Sequence, residues 1–318
     1  MTQASRPPVL AATGAAAELG VHQAAAILRD GGLVAVPTET VYGLAARADR
    51  DASVAAIYRA KGRPSFNPLI VHVSSLAEAC RLAVFDAQAE RLAQAFWPGP
   101  LTLVLPLASG HGLAAAVTAG LPTVALRCPA HPVMRRVLEE AGVPLAAPSA
   151  NRSGGVSPTA AEHVVASLGD RVDLVLNGGA CEAGVESTIV AVRADGRWHV
   201  LRPGPITAPQ LEELLGSAAS SPSPGIEAPG QLESHYAPGK PVRLDATEAR
   251  QGEFLIGFGA ITGNMQLSPA GDLAEAASRL YAALHEAAAA SAPRIAVAPI
   301  PTDGIGAAIN DRLRRAAA

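Results

Sequence analysis

Gly31-Gly32-Leu33-Val34-Ala35-Val36-Pro37-Thr38-Glu39-Thr40-Val41-Tyr42-Gly43 sets the frame for the rest of the chain. Four apolar residues, two of them β-branched, run from a glycine pair to a proline, the length and composition of a buried strand. Upstream, Glu18–Asp30 reads as a helix that stops at the glycine pair. A helix feeding a short strand that ends in a polar loop is the repeating unit of an α/β layer fold, and the unit recurs. Strands are expected at Leu69–Val73, Leu101–Leu105, Thr123–Arg127, Leu145–Ala147, Leu174–Leu176, Thr188–Val192 and His199–Leu201, with helices between several of them. Asp51 is expected to cap a helix carrying Val54, Ile57, Tyr58 and Lys61. Ser75 with Glu78, Thr159 with Glu162 and Thr207 with Gln210 have capping-box spacing, which predicts helices from Leu76, over Ala160–Leu168 and over Ala208–Leu215.

Composition changes at Gly216. The stretch to Gly239 is crowded with Ser, Pro and Gly and lacks helical or strand periodicity, so it reads as a linker over 217–239 between a domain over 1–216 and a second over 240–318. The second domain is expected to hold strands at Val242–Leu244, Phe254–Phe258 and Ile295–Pro299. A long helix with Leu273, Ala277, Leu280, Tyr281, Leu284 and Ala288 on one face and a terminal helix over Ala307–Arg315 would complete it.

At 318 residues and 49% hydrophobic content the chain can bury two cores. A net charge of −3 argues against a protein that wraps nucleic acid with a broad basic surface. The three cysteines, Cys80, Cys128 and Cys181, form no CxxC and no zinc-ligand spacing, so neither a disulfide framework nor a protein-bound metal is expected, which fits a cytoplasmic protein. The first residues are broken by Pro7, Pro8 and Gly14 and do not read as a signal peptide. No run approaches the roughly 20 apolar residues of a membrane span.

Polar clusters follow several expected strands, where open α/β sheets take their ligands. Pro37–Gly43 brings two threonines, a carboxylate and a phenol, although the threonines could equally satisfy local backbone groups. Lys61-Gly62-Arg63-Pro64-Ser65-Phe66-Asn67-Pro68 holds two cations in a loop stiffened by prolines, which suits a polyphosphate; a solvated basic turn at a helix end is the alternative. His72 interrupts the apolar run that follows. Pro148-Ser149-Ala150-Asn151-Arg152-Ser153-Gly154-Gly155-Val156-Ser157-Pro158-Thr159 offers hydroxyls, an amide and glycines for an anion nest, or a turn that ends in a cap. It is neither a Walker loop nor a dinucleotide fingerprint.

Taken in order, Pro37–Leu44, Lys61–His72, Trp97–Leu105, the strand ending at Arg127, Pro148–Thr159, Val185–Val190 and Leu201–Gly204 resemble the YrdC-type threonylcarbamoyl-AMP synthases. Ser234-His235-Tyr236-Ala237-Pro238 and the terminal Asp311–Ala316 resemble the longer, two-domain form. Ala228–Glu233 departs from the more basic linker of many relatives. The resemblance implies a twisted open YrdC-like sheet with helices, followed by a small Rossmann-like α/β domain. It implies an ATP-using nucleotidyltransferase that joins L-threonine, bicarbonate or carbon dioxide, and ATP with magnesium into threonylcarbamoyl-AMP and pyrophosphate. Other proteins then pass the threonylcarbamoyl group to the tRNA adenosine beside the anticodon. Carried over by position, threonine contacts fall on Thr40, His72, Arg127, Ala147 and Ser187, and ATP contacts on Arg63, Asn67, Thr123, Ser149, Ser157, Arg202 and Tyr236. Lys61, Arg63, Ser149 and Asn151 match the family's catalytic signature. Position 147 is alanine, so a contact there must use its backbone.

The amine of threonine must lose a proton before it reacts, its reference pKa being about 8. Glu39 and Glu186 are candidates to accept it, with helix capping or a magnesium-water contact as equal alternatives. Two other functions compete with this reading. An RNA-binding module would use a basic concave face, whereas the cations here gather in ligand-like loops. The hydrogenase-maturation carbamoyl transferases are longer and carry zinc-finger cysteines and an acylphosphatase-like segment that this chain lacks.

Overall fold

The computed structural model describes residues 6–14, 17–193, 195–217, 225, 227–231 and 235–318. In chain order the first part contains β1 (Val9–Ala11), α1 (Ala17–Asp30), β2 (Val34–Val36), β3 (Gly43–Arg47), α2 (Asp51–Lys61), β4 (Ile70–His72), α3 (Leu76–Leu82) and α4 (Ala87–Phe96). It continues through β5 (Leu101–Pro106), α5 (Ala115–Thr118), β6 (Thr123–Arg127), α6 (Pro132–Ala141), β7 (Leu145–Ala146), α7 (Ala161–Leu168), β8 (Leu174–Asn177), β9 (Thr188–Val192), β10 (Trp198–Arg202) and α8 (Ala208–Leu215). The second part holds β11 (Val242–Arg243), β12 (Glu253–Gly257), β13 (Met265–Gln266), α9 (Leu273–Ala289), β14 (Arg294–Val297) and α10 (Gly306–Ala317).

The first ten strands form one mixed sheet in the order β1-β8-β2-β3-β7-β4-β6-β5-β9-β10, and the last four a second sheet in the order β11-β14-β12-β13. In the large sheet β4 runs parallel to β6 and β5 to β9, while β5 and β6 are antiparallel. The small sheet is parallel throughout, as a Rossmann-like unit requires.

Strand alternation gives the large sheet two different faces. One carries Val71, Leu103, Leu126, Ala146 and Val190 into the principal core, under Val54 and Ile57 of α2, Leu92 of α4 and Val164 of α7. On the other face, the half from β1 to β7 presents Val34, Val36, Ala45, Leu145, Leu174 and Leu176 to α1 and α6. The half from β4 to β10 has a small apolar floor of Ile70, Val104, Ala125, Ile189, Ala191 and Leu201. Ala228, from the segment between the domains, packs on this floor where the other half has helices. Among the described residues no helix covers this half-face, which forms a cleft into which the polar loops of the sequence open.

Several local expectations need correction. Strand β3 does not appear in the sequence reading because Gly43-Leu44-Ala45-Ala46 has poor strand propensity; pairing to β2 on one side and β7 on the other imposes the extended form. Asp51 is the first residue of α2, not its cap: Arg50 holds the cap position with no side-chain hydrogen bond, and its carbonyl accepts from Ser53 and Val54. Ala160, not Thr159, caps α7, and Thr159 turns its amide and hydroxyl toward His163 Nδ1. Ser75 caps α3, but the Glu78 carboxylate accepts from Ser74, one residue beyond the box. The Thr207–Gln210 box forms as expected. Ser217, Gly225 and residues 227–231 and 235–239 of the inter-domain segment are described. Ala228 and Tyr236 among them are buried, so here the segment is a packed strap over the cleft. Ser234 of the Ser-His-Tyr-Ala-Pro motif, and Leu232 and Glu233 of the departing stretch, lie outside the described residues.

The two domains share apolar contacts: Val41, Val156 and Val185 of the first and Tyr236 of the strap join Ala277, Leu280, Tyr281 and Leu284 of α9. Gly184 makes the approach close. It has φ +66°, and a Cβ there would lie 2.4 Å from Ala277 O and 2.4 Å from Ser278 Cα. Gly184→Ala is therefore expected to lower domain-docking stability by about 1–3 kcal/mol, through both the left-handed backbone and the clash with α9. Thermal denaturation checks this: the C-terminal domain should melt earlier and separately, and an unchanged single transition would mean that α9 does not press on Gly184.

Candidate active site

The cleft is lined by Thr38, Thr40, Val41, Gly43, Arg63, Ile70, His72, Arg127, Ala147, Pro148, Ser149, Glu186, Ser187, Arg202, His235 and Tyr236. It follows the exposed half-face along β4, from the loop before the strand to its carboxyl end. The strand-end rule therefore locates only part of it. Ile70 and His72 share this face by strand alternation, and the parallel register pairs them with Ala125 and Arg127.

At one end, Arg127 Nη1 donates to Thr40 Oγ1 at 2.8 Å, Arg127 Nη2 lies 2.6 Å from Glu39 Oε1, and Thr40 Oγ1 is 2.9 Å from Thr38 Oγ1. Thr102 and Ser187 exchange a hydroxyl hydrogen bond at 2.7 Å. Arg202 donates to Ser187 O through Nε and Nη2, at 3.1 and 3.0 Å, and to Ser187 Oγ at 3.1 Å. Gly204 lets the end of β10 press on this segment, since a Cβ there would stand 2.3 Å from Thr188 N. At the other end, Arg63 donates to Asn67 O at 3.2 Å and to Pro68 O at 2.9 Å, which folds its guanidinium along the loop toward the cleft.

Of the residues singled out in the sequence, Arg63, Ser149, Thr40, His72, Arg127, Ala147, Ser187, Arg202 and Tyr236 line the cleft; Lys61, Asn151, Asn67, Thr123 and Ser157 do not. The Lys61 ammonium is buried and donates to Ser149 O and Asn151 O, so it clamps the anion-nest loop from behind. Burial, and then Arg63, pull its pKa well below the lysine range. Asn151 donates to Arg152 O and Gly155 O, both at 2.8 Å, and shapes the same loop. Thr123 opens β6, two residues before the Ala125 that pairs with Ile70, and pairs with Pro106 of β5. Ser157 donates to Glu186 at 2.6 Å.

Glu186 also accepts from Tyr281 Oη and from Arg312 Nε, each at 2.8 Å. Burial opposes its ionisation, but Arg312, Arg202 and the hydrogen bonds from Ser157 and Arg312 prevail and hold its pKa down at about 2. A carboxylate so stabilised is a poor acceptor for an ammonium proton. Glu39 is also held below the carboxylate range, burial being outweighed by Arg127. Neither carboxylate fits the role of base for the amine. His72 is kept neutral, its pKa lowered to about 3 by burial and then by Arg127. Sequence reasoning missed Thr38, Thr102, Tyr281 and Arg312 as parts of this site. Thr38, Thr102 and Arg312 stood in motifs already noted, where nothing local marked them as site residues, while Tyr281 was noted only on the apolar face of its helix and arrives through the fold.

His72 Nδ1 and Tyr236 Oη are buried and without a hydrogen-bond partner among the described residues. Both line the cleft. An unpaired buried polar atom costs about 1–3 kcal/mol, so these two are positions that a bound molecule would satisfy. Tyr236 also has φ +64°, is stacked on Tyr281 with ring centroids 5.6 Å apart, and lies under the Arg312 guanidinium at 5.4 Å.

A mixed α/β sheet with a half-face that no helix covers among the described residues, lined by arginines, hydroxyls and a neutral histidine, forms a cleft suited to anions. The comparisons with known proteins narrow this. A family profile described as Telomere recombination matches residues 26–204, and one described as Threonylcarbamoyl-AMP synthase, C-terminal domain, matches residues 206–318. Threonylcarbamoyl-AMP synthase of Bacillus subtilis is 40% identical over 322 residues, covering 93% of this chain and 92% of that protein. The Pyrococcus abyssi enzyme of the same name is 36% identical, covering 94% of each. The structure of Pyrococcus abyssi Sua5 complexed with L-threonine aligns with a TM-score of 0.88 at 33% identity, covering 97% of each chain. The chain belongs to the threonylcarbamoyl-AMP synthase family, in its two-domain form.

The buried acid–base groups give a pH dependence. Glu186, with a folded pKa of about 2 against an ordinary 4.5, contributes stability that is complete above pH 4.5 and lost as pH falls toward 2. Between the domains, His285 stacks on His163 with ring centroids 3.9 Å apart and is lowered to about 4 by burial and then by His163. Its neutral form is favoured, so stability is also lost as pH falls from about 6.5 toward 4. Urea titrations at a series of pH values should show domain docking weakening in two stages, the lower of about 3 kcal/mol and absent in Glu186→Gln. A flat profile between pH 6.5 and 3 would contradict both assignments.

Proposed function

We propose that the chain joins L-threonine, bicarbonate or carbon dioxide, and ATP into threonylcarbamoyl-AMP with release of pyrophosphate. The observation that carries this is one cleft in which the buried, unpartnered His72 Nδ1 and Tyr236 Oη face a row of arginines, in a chain of this family. Thr40, His72, Arg127 and Ser187, with the backbone of Ala147, take threonine at the Arg127 end. Arg63, Ser149, Arg202 and Tyr236 take the nucleotide, with Asn67, Thr123 and Ser157 beside them.

In the reaction the threonine nitrogen bonds to the carbon of carbon dioxide and loses a proton. A carbamate oxygen then bonds to the α-phosphorus as the bond to the β-phosphate oxygen breaks and pyrophosphate leaves. Both reactants are anions, so fixed guanidinium groups offset their repulsion and hold them in line. Arg63 keeps a charge against burial, which pulls its pKa to about 10 and leaves it protonated at neutral pH. Glu186 in the cleft wall and Glu39 behind Arg127 are each tied to an arginine. No group of three or more His, Cys, Asp or Glu able to hold a metal occurs among the described residues. Magnesium would accompany ATP and supply neutralisation of charge on the leaving group. The strap over the cleft excludes water from a hydrolysable acyl phosphate. The product passes to proteins that modify tRNA, in the cytoplasm; no helix among the described residues is long and apolar enough to cross a membrane.

Incubation of the purified chain with ATP, bicarbonate and threonine, read by mass spectrometry and a pyrophosphate assay, tests the proposal; absence of threonylcarbamoyl-AMP overturns it. Arg63→Ala should lower kcat/KM by roughly a hundredfold, the order of one lost transition-state contact, with a melting temperature near that of the unaltered chain. Lys61→Met should lower melting temperature and activity together, because its ammonium clamps loop carbonyls. Serine, lacking one methyl, should be a poorer substrate by roughly 10–200-fold.

A further inference from the structure

The Glu186 carboxylate is the one negative side chain in the cleft wall beside Arg202. It adjoins Ser187, whose carbonyl holds the Arg202 guanidinium. Left to itself, a carboxylate there would pair with that cation and cancel charge meant for a polyphosphate. Both of its oxygens are instead taken up by other donors. Tyr281 Oη and Arg312 Nε both donate to Oε2 at 2.8 Å, and Ser157 donates to Oε1 at 2.6 Å. Tyr281 belongs to α9 and Arg312 to α10, so two of the three donors come from the C-terminal domain. Arg312 is fully buried and is itself fixed by Asp311 at 2.8 Å, which Arg315 braces in turn at 3.1 Å. This chain of ion pairs leads from the last helix to the wall of the cleft.

We infer that Tyr281 and Arg312 are positioning residues: they hold the Glu186 carboxylate away from Arg202 and so keep the cleft cationic enough for a nucleoside triphosphate. The C-terminal domain then sets nucleotide affinity without touching the nucleotide. The inference rests on the reading of the cleft as an ATP site. Its mark is dependence on ligand charge. A carboxylate released into the cleft opposes a triphosphate strongly, a monophosphate weakly, and zwitterionic threonine least.

Tyr281→Phe is the probe, because it removes one hydroxyl and keeps the ring that stacks on Tyr236. Binding of magnesium-ATP, AMP and threonine to the full chain is measured by calorimetry in the unaltered protein, Tyr281→Phe, Glu186→Gln and the double variant. Tyr281→Phe should raise the Kd for ATP by about tenfold and that for AMP by about twofold or less, with threonine unchanged, as expected for a displaced charge. In the Glu186→Gln background the same substitution should leave the ATP Kd unaltered, because no charge remains to be held. Equal weakening of ATP and AMP, or equal weakening in both backgrounds, would show that Tyr281 acts through packing and overturn the inference. Should Glu186→Gln not fold, the ATP-to-AMP ratio in Tyr281→Phe alone decides. An unaltered chain that binds no ATP would overturn the reading of the site and the inference with it, whereas ATP binding indifferent to Tyr281→Phe overturns the inference alone.

Discussion

An ionised carboxylate taken out of water costs several kcal/mol unless cations and donors surround it, and the meeting of the two domains is organised around satisfying one. Glu186 sits at the start of β9 with its oxygens taken up by Ser157, Tyr281 and Arg312. A partner missing from that set would leave a buried charge uncompensated, so the position of α9 and α10 is tied to the wall of the cleft. Apolar contacts between Val185, Val156 and the α9 face supply the bulk of the contact, and Gly184 permits it at backbone distance. Hydrophobic burial sets that the domains stick; the ionic centre sets where.

The same arrangement explains the cleft. Helices α1 and α6 cover one half of a sheet face and leave the other half to the strap and to substrates. On that half-face, strand alternation turns Ile70 and His72, Ala125 and Arg127, the same way, so an apolar floor passes into a polar end within a few residues. The proposed reaction between two anions would use this mixture: fixed positive charge for the phosphates, a neutral histidine for the amino-acid end, and a cover against water.

Lys61 shows how residue type and role come apart. Its sequence setting beside Arg63 reads as a second phosphate contact, yet its ammonium is spent on the carbonyls of Ser149 and Asn151. It shapes the anion nest from outside the cleft lining. Glu186 moves the other way, from a candidate base to the bond between domains.

The sequence by itself determined the α/β alternation, the position of most strands, the change of character after Gly216 and the polar loops that converge on the site. These are written in local signals: apolar periodicity, glycine and proline stops, and short motifs whose order marks the family. Strand β3 escaped it, because its pairing to β2 and β7 overrides poor local propensity. The roles of Tyr281, Arg312 and Thr102 escaped it as well: Thr102 and Arg312 stand in motifs that mark the family, but what they touch is set by distant segments. Only the tertiary structure decided which face of the sheet stays free of helices, which cations point into the cleft and which clamp its walls, and that the last helix reaches Glu186. Those are matters of long-range packing and of how buried charges find partners, and neither is encoded within the reach of a local pattern.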